Sequence, residues 1–188
     1  MTKATATLTQ QSSRNKARAS LWSFLAASPA SGALIPAGKT AAAKAASGNP
    51  VAGTARVKRA GAYKIDIVSA HKIVKRGISS RAITPLGDFL GLGKGTVAEY
   101  LDLDRGTANR RAAKGQLLPM HAAEGVMRLL ELDQMASDTF EDEAEASQWL
   151  RKPHPMLEGE TPLEAAKTSY GAQRAKDILL AIKYGGVV

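Results

Sequence analysis

Between Ala146 and Gly186 the residues that stop and start helices stand so close together that the stretch ASQWLRKPHPMLEGETPLEAAKTSYGAQRAKDILLAIKYGG is expected to fold as a compact set of short helices. Trp149 and Leu150 close one helix. Pro153 and Pro155 prevent its continuation, because each lacks a backbone donor and drives the preceding residue out of the helical region. Leu157 leads into a turn at Gly159. Thr161-Pro162-Leu163-Glu164 then opens a new helix, with Thr as N-cap, proline at the first helical position and Glu at the third, the pattern of a capping box. Gly171 is expected to interrupt that helical run. After it, Ala175, Ile178, Leu179 and Ile182 recur at helical spacing in a narrow apolar stripe that ends at Tyr184-Gly185-Gly186. Trp149, Leu150, Leu157, Leu163, Ile178, Leu179 and Ile182 are expected to build this module's own core.

The 188-residue chain is long enough for one ordinary domain or two small ones, and at 44% hydrophobic and 5% aromatic residues its core must be mostly aliphatic. With no Cys it forms no disulfide and no thiolate metal site, which suits a reducing cytoplasm. No apolar run reaches the eighteen or so residues of a membrane span. The net charge of +9 is unevenly placed: residues 1–60 hold nine Lys or Arg and no acid, whereas residues 61–188 hold 17 of each sign. The first sixty residues are rich in Ala, Ser, Thr and Gly and are expected to form a largely flexible basic arm. Its exception is Leu21-Trp22-Ser23-Phe24-Leu25. A secretory or mitochondrial presequence is an alternative, with Arg14, Lys16 and Arg18 ahead of a short apolar segment. If the arm acts, it adds phosphate attraction, or Trp22 and Phe24 anchor on a partner.

In the middle, Ile65, Val68 and Ile73 suggest a helix from Tyr63 to Arg76 ended by Gly77, and Ile83, Leu86, Phe89 and Leu90 a second. Helix, short turn and helix follow from Gly93 to Gly115. Ala98 is small enough for a close helix crossing, Leu101 and Leu103 anchor the turn, and Asp104 caps the next helix. Asp102 stands where such turns often carry Gly. The second helix would offer Thr107 and Asn109 to base edges and Arg105, Arg110, Arg111 and Lys114 to bases or phosphates, if it is not simply a solvated basic face. Gly91-Leu92-Gly93-Lys94-Gly95-Thr96 fails as a P-loop, because Gly95 rather than Ser or Thr follows Lys94 and Asp88 takes the upstream glycine's place. Beyond Leu118-Pro119 a long helix through Ala122, Val126, Leu129, Leu130, Leu132 and Met135 links the two halves. The acidic group Asp138, Glu141, Asp142, Glu143 and Glu145 marks a solvated face or a helix N-terminus. His71, His121 and His154 are scattered and the acidic run lacks anything to split its pKa values, so no catalytic, cofactor or metal site is expected.

The WL, P, L, G, TPLE, YGA and final YG elements, in this order, resemble the C-terminal toxin-binding domain of the Xre/MbcA/ParS family of bacterial antitoxins, nearest its ParS branch. The preceding helices resemble the same family's Xre-like helix-turn-helix domain. The resemblance implies an all-α protein with a basic arm over 1–60, a helix-turn-helix and dimerisation domain over 61–136 and a toxin-binding domain over 137–188. It implies a cognate RES-domain toxin, an enzyme that degrades NAD or uses it for ADP-ribosylation. The helix from Tyr170 to Tyr184 and the tail Gly185, Gly186, Val187 and Val188 would then lie across the NAD cleft, with Arg174 and Lys183 facing its carboxylates. It further implies operator DNA as a partner for autorepression, a homodimer that joins the toxin in a hetero-oligomer, and a cytoplasmic location. The competing reading is a stand-alone helix-turn-helix regulator or nucleoid protein whose C-terminal module only oligomerises.

Overall fold

A computed structural model describes residues 16–17, 20–25, 65–140 and 142–186, and these are mostly helical. Residues 20–25 form α1. There follow α2 (Ile67–Arg76), α3 (Ile83–Leu90), α4 (Lys94–Tyr100), α5 (Arg105–Ala113), α6 (Met120–Phe140), α7 (Glu143–Arg151), α8 (Pro162–Ala165) and α9 (Ser169–Tyr184). Short 3-10 turns at Ser80–Ala82 and Pro155–Leu157 complete the path. The fold is all-α. Among the described residues the extended pairing is a single antiparallel bridge between Ser79 and Leu117, flanked by hydrogen bonds from the Ser80 amide to the Gln116 carbonyl and from the Leu118 amide to the Ile78 carbonyl.

The 21-residue α6 is the axis of the molecule rather than a simple connection. It packs against α2, α7 and α9, and its Ala122, Val126, Leu129, Leu130, Leu132 and Ala136 are buried in one continuous cluster with residues of both halves. Small residues let its neighbours approach closely: a Cβ on Gly125 would stand 2.8 Å from a methyl of Leu101. The expected division between 136 and 137 falls inside this helix.

Helix α2 begins later than its apolar pattern suggests. Asp66 caps it by accepting from the Ser69 amide at 2.9 Å, and Gly77 ends it at φ 91. Ile65 and Ile73 are buried as expected, but Val68 is exposed. Residues 61–64 lie outside the described residues, so the expected start at Tyr63 does too.

Within the basic arm, α1 is packed. Leu21, Trp22 and Leu25 are buried in the core, Phe24 packs against it, and the Arg76 guanidinium donates to the Leu25 carbonyl. Trp22 is thus an anchor on its own chain. The expectation of flexibility for the rest of 1–60 lies outside the described residues.

Candidate functional site

The C-terminal module is assembled by short-range capping. Asp142 caps α7 by accepting from the Ala144 amide at 3.0 Å, with Glu143 and Glu145 in the first turn, so that this part of the acidic run marks a helix start. Trp149 and Leu150 sit at the end of α7. Leu150 is buried, whereas Trp149 is half-buried between Phe140 and His154, with ring centroids 5.8 and 6.1 Å away. After Pro153 the chain makes a tight loop: the His154 amide donates to the Glu160 carbonyl at 3.0 Å and the Gly159 amide to the His154 carbonyl at 3.2 Å. Glu158 and Gly159 hold positive φ there. Thr161 then forms the capping box with Glu164. The Glu164 amide donates to Thr161 Oγ1 at 3.2 Å and the Thr161 amide to Glu164 Oε2 at 2.9 Å. The bond from the Thr161 amide, followed by that from its hydroxyl, holds the Glu164 carboxyl below its ordinary range.

Gly171 corrects the sequence reading. It does not interrupt a helix but lies in the first turn of α9, where its amide donates to the N-cap hydroxyl of Thr168 at 3.0 Å. The break falls earlier, at Ala166 to Thr168, and glycine is needed because a Cβ at 171 would meet the Ala165 carbonyl oxygen at 2.1 Å. Helix α9 is held by Ala172, Ala175, Ile178 and Leu179, all buried, and by Lys176, which pairs with Glu131 of α6. Ile182 was expected in this core and is not: it is 38% exposed, since packing covers the stripe through Leu179 and not one turn further.

The outer side of α9 carries large apolar groups among its polar ones. Tyr170 is 86% exposed, Tyr184 76% and Leu180 41%; Tyr170, Asp177 and Tyr184 recur every seven residues and so align along one face. Tyr170 and Leu180 were not among the expected contacts, although the spacing of the two tyrosines by two seven-residue repeats was visible in the sequence. Arg174 is engaged within the chain, its guanidinium donating to Glu158 Oε1 at 3.0 Å and to the Met156 carbonyl at 2.7 Å, so it fastens the 154–160 loop to α9. Lys183 is exposed in the last turn and bonds no described residue. Gly185 closes the helix in the left-handed region at φ 71, and the Gly186 amide donates to the Ala181 carbonyl at 2.7 Å. Val187 and Val188 lie outside the described residues.

At the opposite end, α4, a four-residue turn and α5 form the expected helix, turn and helix. Asp102 takes φ 53, the left-handed conformation for which glycine is usual, and Leu101 and Leu103 on either side are buried. Asp104 Oδ2 accepts from the Thr107 amide at 2.8 Å, which holds its carboxyl below its ordinary value. Asn109 and Arg110 are exposed on α5, Lys114 at its C-cap and Arg105 at its start. Thr107 is half-buried and its hydroxyl accepts from Arg110 at 3.2 Å. Arg111 is half-buried too, and donates to the Leu117 carbonyl at 3.3 Å, so its guanidinium is engaged by the chain that follows α5. The two ends are joined through α6 and Tyr100: Lys167 Nζ stands 4.9 Å from the Tyr100 ring centre, and Arg128 donates to the Ala166 and Lys167 carbonyls at 3.3 and 3.0 Å.

These features define a helical protein with a small capped module that presents an apolar face at its C-terminal end. Residues 135–185 match the family described as the antitoxin Xre/MbcA/ParS C-terminal toxin-binding domain. The chain is also 26% identical over 132 residues to the Prs ADP-ribosylating antitoxin of Sphingobium sp. (strain YBL2), a match that spans 65% of this chain and 83% of that protein. The stretch from 135 to 185 is thus similar to the toxin-binding domain of the Xre/MbcA/ParS antitoxins, a domain whose description implies a toxin as partner. Among the described residues no helix is long and apolar enough to cross a membrane.

Proposed function

We propose that this chain is an antitoxin that neutralises a RES-domain, NAD-consuming toxin by laying the outer face of α9 and the residues after it across the toxin's NAD cleft. The exposed line of Tyr170, Leu180 and Tyr184 carries this reading, because a helix already anchored on its inner side has no need of large apolar groups on its outer one. The Sphingobium relative, named for ADP-ribosylation, favours an NAD-using toxin. Among the described residues at that end Lys183 is an exposed cation with no bonding partner, and Gly185 and Gly186 permit close backbone approach. Arg174 acts one step back by holding the loop that supports α9.

The test pairs the purified chain with the RES-type enzyme encoded beside it. Removing Gly185 to Val188 takes away the C-terminal cap of α9 but leaves the chain folded in a thermal melt, and restores NAD consumption or ADP-ribosylation by the toxin, and Tyr184→Asp weakens the complex. Full neutralisation by both variants would count against the cleft-covering geometry.

The exposed polar face of α5 supports a second role in the same protein. Asn109, Arg110 and Lys114 stand on one side of a short helix fixed by the Asp104 cap, the arrangement in which a recognition helix enters the major groove. A homodimer would present two such helices to an inverted repeat in its own operator, and the toxin would join it in a hetero-oligomer. Arg110→Ala with Lys114→Ala lowers operator affinity in a mobility-shift titration. Unchanged affinity in the double variant would remove this face as the reader.

A further inference from the structure

The glycine-rich stretch before α4 has no P-loop spacing, yet it borders a cavity. This cavity, about 230 Å³ and open to solvent, lies between α3, α4 and α5, with Ala98 and Ala108 among its apolar lining and Thr84, Lys94, Arg105 and Asn109 among its polar lining. No acidic side chain lines it. Neither Lys94 nor Arg105 makes a hydrogen bond or ion pair with any described residue, so among these residues the two cations border one opening without an acidic partner in its lining. Gly95 explains how they come together. A Cβ there would stand 2.6 Å from both Cζ and Nε of Arg105, so the guanidinium lies against the backbone of α4 and would have to shift if position 95 carried a side chain.

We propose that Lys94 and Arg105 clamp one backbone phosphate of duplex DNA at this opening, beside the Asn109 edge of α5. The inference rests on the DNA-binding reading of α5 and adds to it a sequence-independent contact that fixes the duplex in register. The cavity is below the roughly 300 Å³ at which small-molecule sites begin, which disfavours a cofactor, and its alanines leave room for the sugar next to a bound phosphate. Two unpaired cations suit a phosphodiester, whose charge outlasts any change of base sequence.

The experiment measures the affinity of the full chain for two duplexes, one with the inverted repeat upstream of its own gene and one of equal length and unrelated sequence, over a series of salt concentrations. In the Lys94→Gln, Arg105→Gln double variant the log-log salt slope falls by about 0.9, the loss of one phosphate contact, and affinity for both duplexes falls by the same factor. Asn109→Ala differs: it narrows the gap between the duplexes. An unchanged slope in the double variant, or a loss confined to the inverted repeat, overturns the clamp while leaving α5 as a reader. A wild-type chain that binds neither duplex even at low salt overturns the DNA reading itself.

Discussion

Replacing Gly171 by Ala isolates the close crossing that orients α9. In an ordinary helix interior the change is favourable by about 1 kcal/mol, because alanine loses less conformational freedom on folding. Here the new methyl would meet the carbonyl oxygen of Ala165 at 2.1 Å, its carbonyl carbon at 2.8 Å and its Cα at 3.1 Å. All three obstacles are backbone, so no rotamer change relieves them and α8 must move away from α9. Overpacking costs roughly 1–3 kcal/mol when side chains can yield, and a backbone obstacle belongs at the top of that range. Subtracting the propensity gain leaves a net loss of about 2 kcal/mol, or a melting temperature lower by roughly 4–8 °C for a chain of this size. The displaced α8 carries the buried Leu163 and is followed by the carbonyls that Arg128 holds, so the outer face of α9 shifts against α6 and toxin neutralisation weakens in parallel. Urea unfolding is the assay, with a lower midpoint expected at constant slope. Gly159→Ala is the control: its φ of +86 strains alanine, but nothing lies within 4 Å of the new methyl, so its stability loss comes from the backbone alone. A Gly171→Ala protein as stable as wild type would refute the close-crossing explanation.

Asp102→Gly should raise stability by roughly 0.5–1 kcal/mol in urea titration, since the turn needs φ 53, and Asp102→Val should lower it; the opposite order would refute the left-handed turn. Leu179→Ala and Leu21→Ala each remove a fully buried side chain and should each cost about 2–5 kcal/mol; a silent Leu21→Ala would show that α1 adds nothing to the core. Acid should act through the carboxylates that accept backbone bonds. Glu164, Asp104 and Asp66 have folded pKa values lowered by those bonds, so their contribution is present above the ordinary carboxylate values and is lost as pH falls through the folded ones. The stability difference between wild type and Glu164→Gln should therefore shrink as pH drops below about 4, and a difference that stays constant would refute the linkage.

What could be seen in the sequence depended on how local the stabilising contact is. The Thr161–Glu164 box, the Asp104 cap and the proline stop after α7 are contacts within a few residues, and each was legible because side chain and backbone partner lie in the same short word. Gly171 was misread for the same reason. Its partner, Ala165, is six residues away and meets it only after the chain has turned at Thr168, so a local rule saw a helix breaker where packing uses a missing side chain. Composition hid α1 in a similar way, since Leu21, Trp22 and Leu25 span one helical turn inside sixty residues of small and basic ones. Period alone assigned Ile182 to the core, because a repeat tells which side of a helix is apolar but not how far its covering neighbours extend. That last misreading bears on function. Ile182 continues the inner stripe past its cover, while Leu180 and Tyr184 stand exposed on the opposite side of the same final turn, so the end of α9 carries apolar groups on two sides that the described part of this chain leaves unburied. A second protein that covered Ile182 would extend the packing of Ala175, Ile178 and Leu179, whereas one that covered Leu180 and Tyr184 would dock on the outer side proposed to face the toxin.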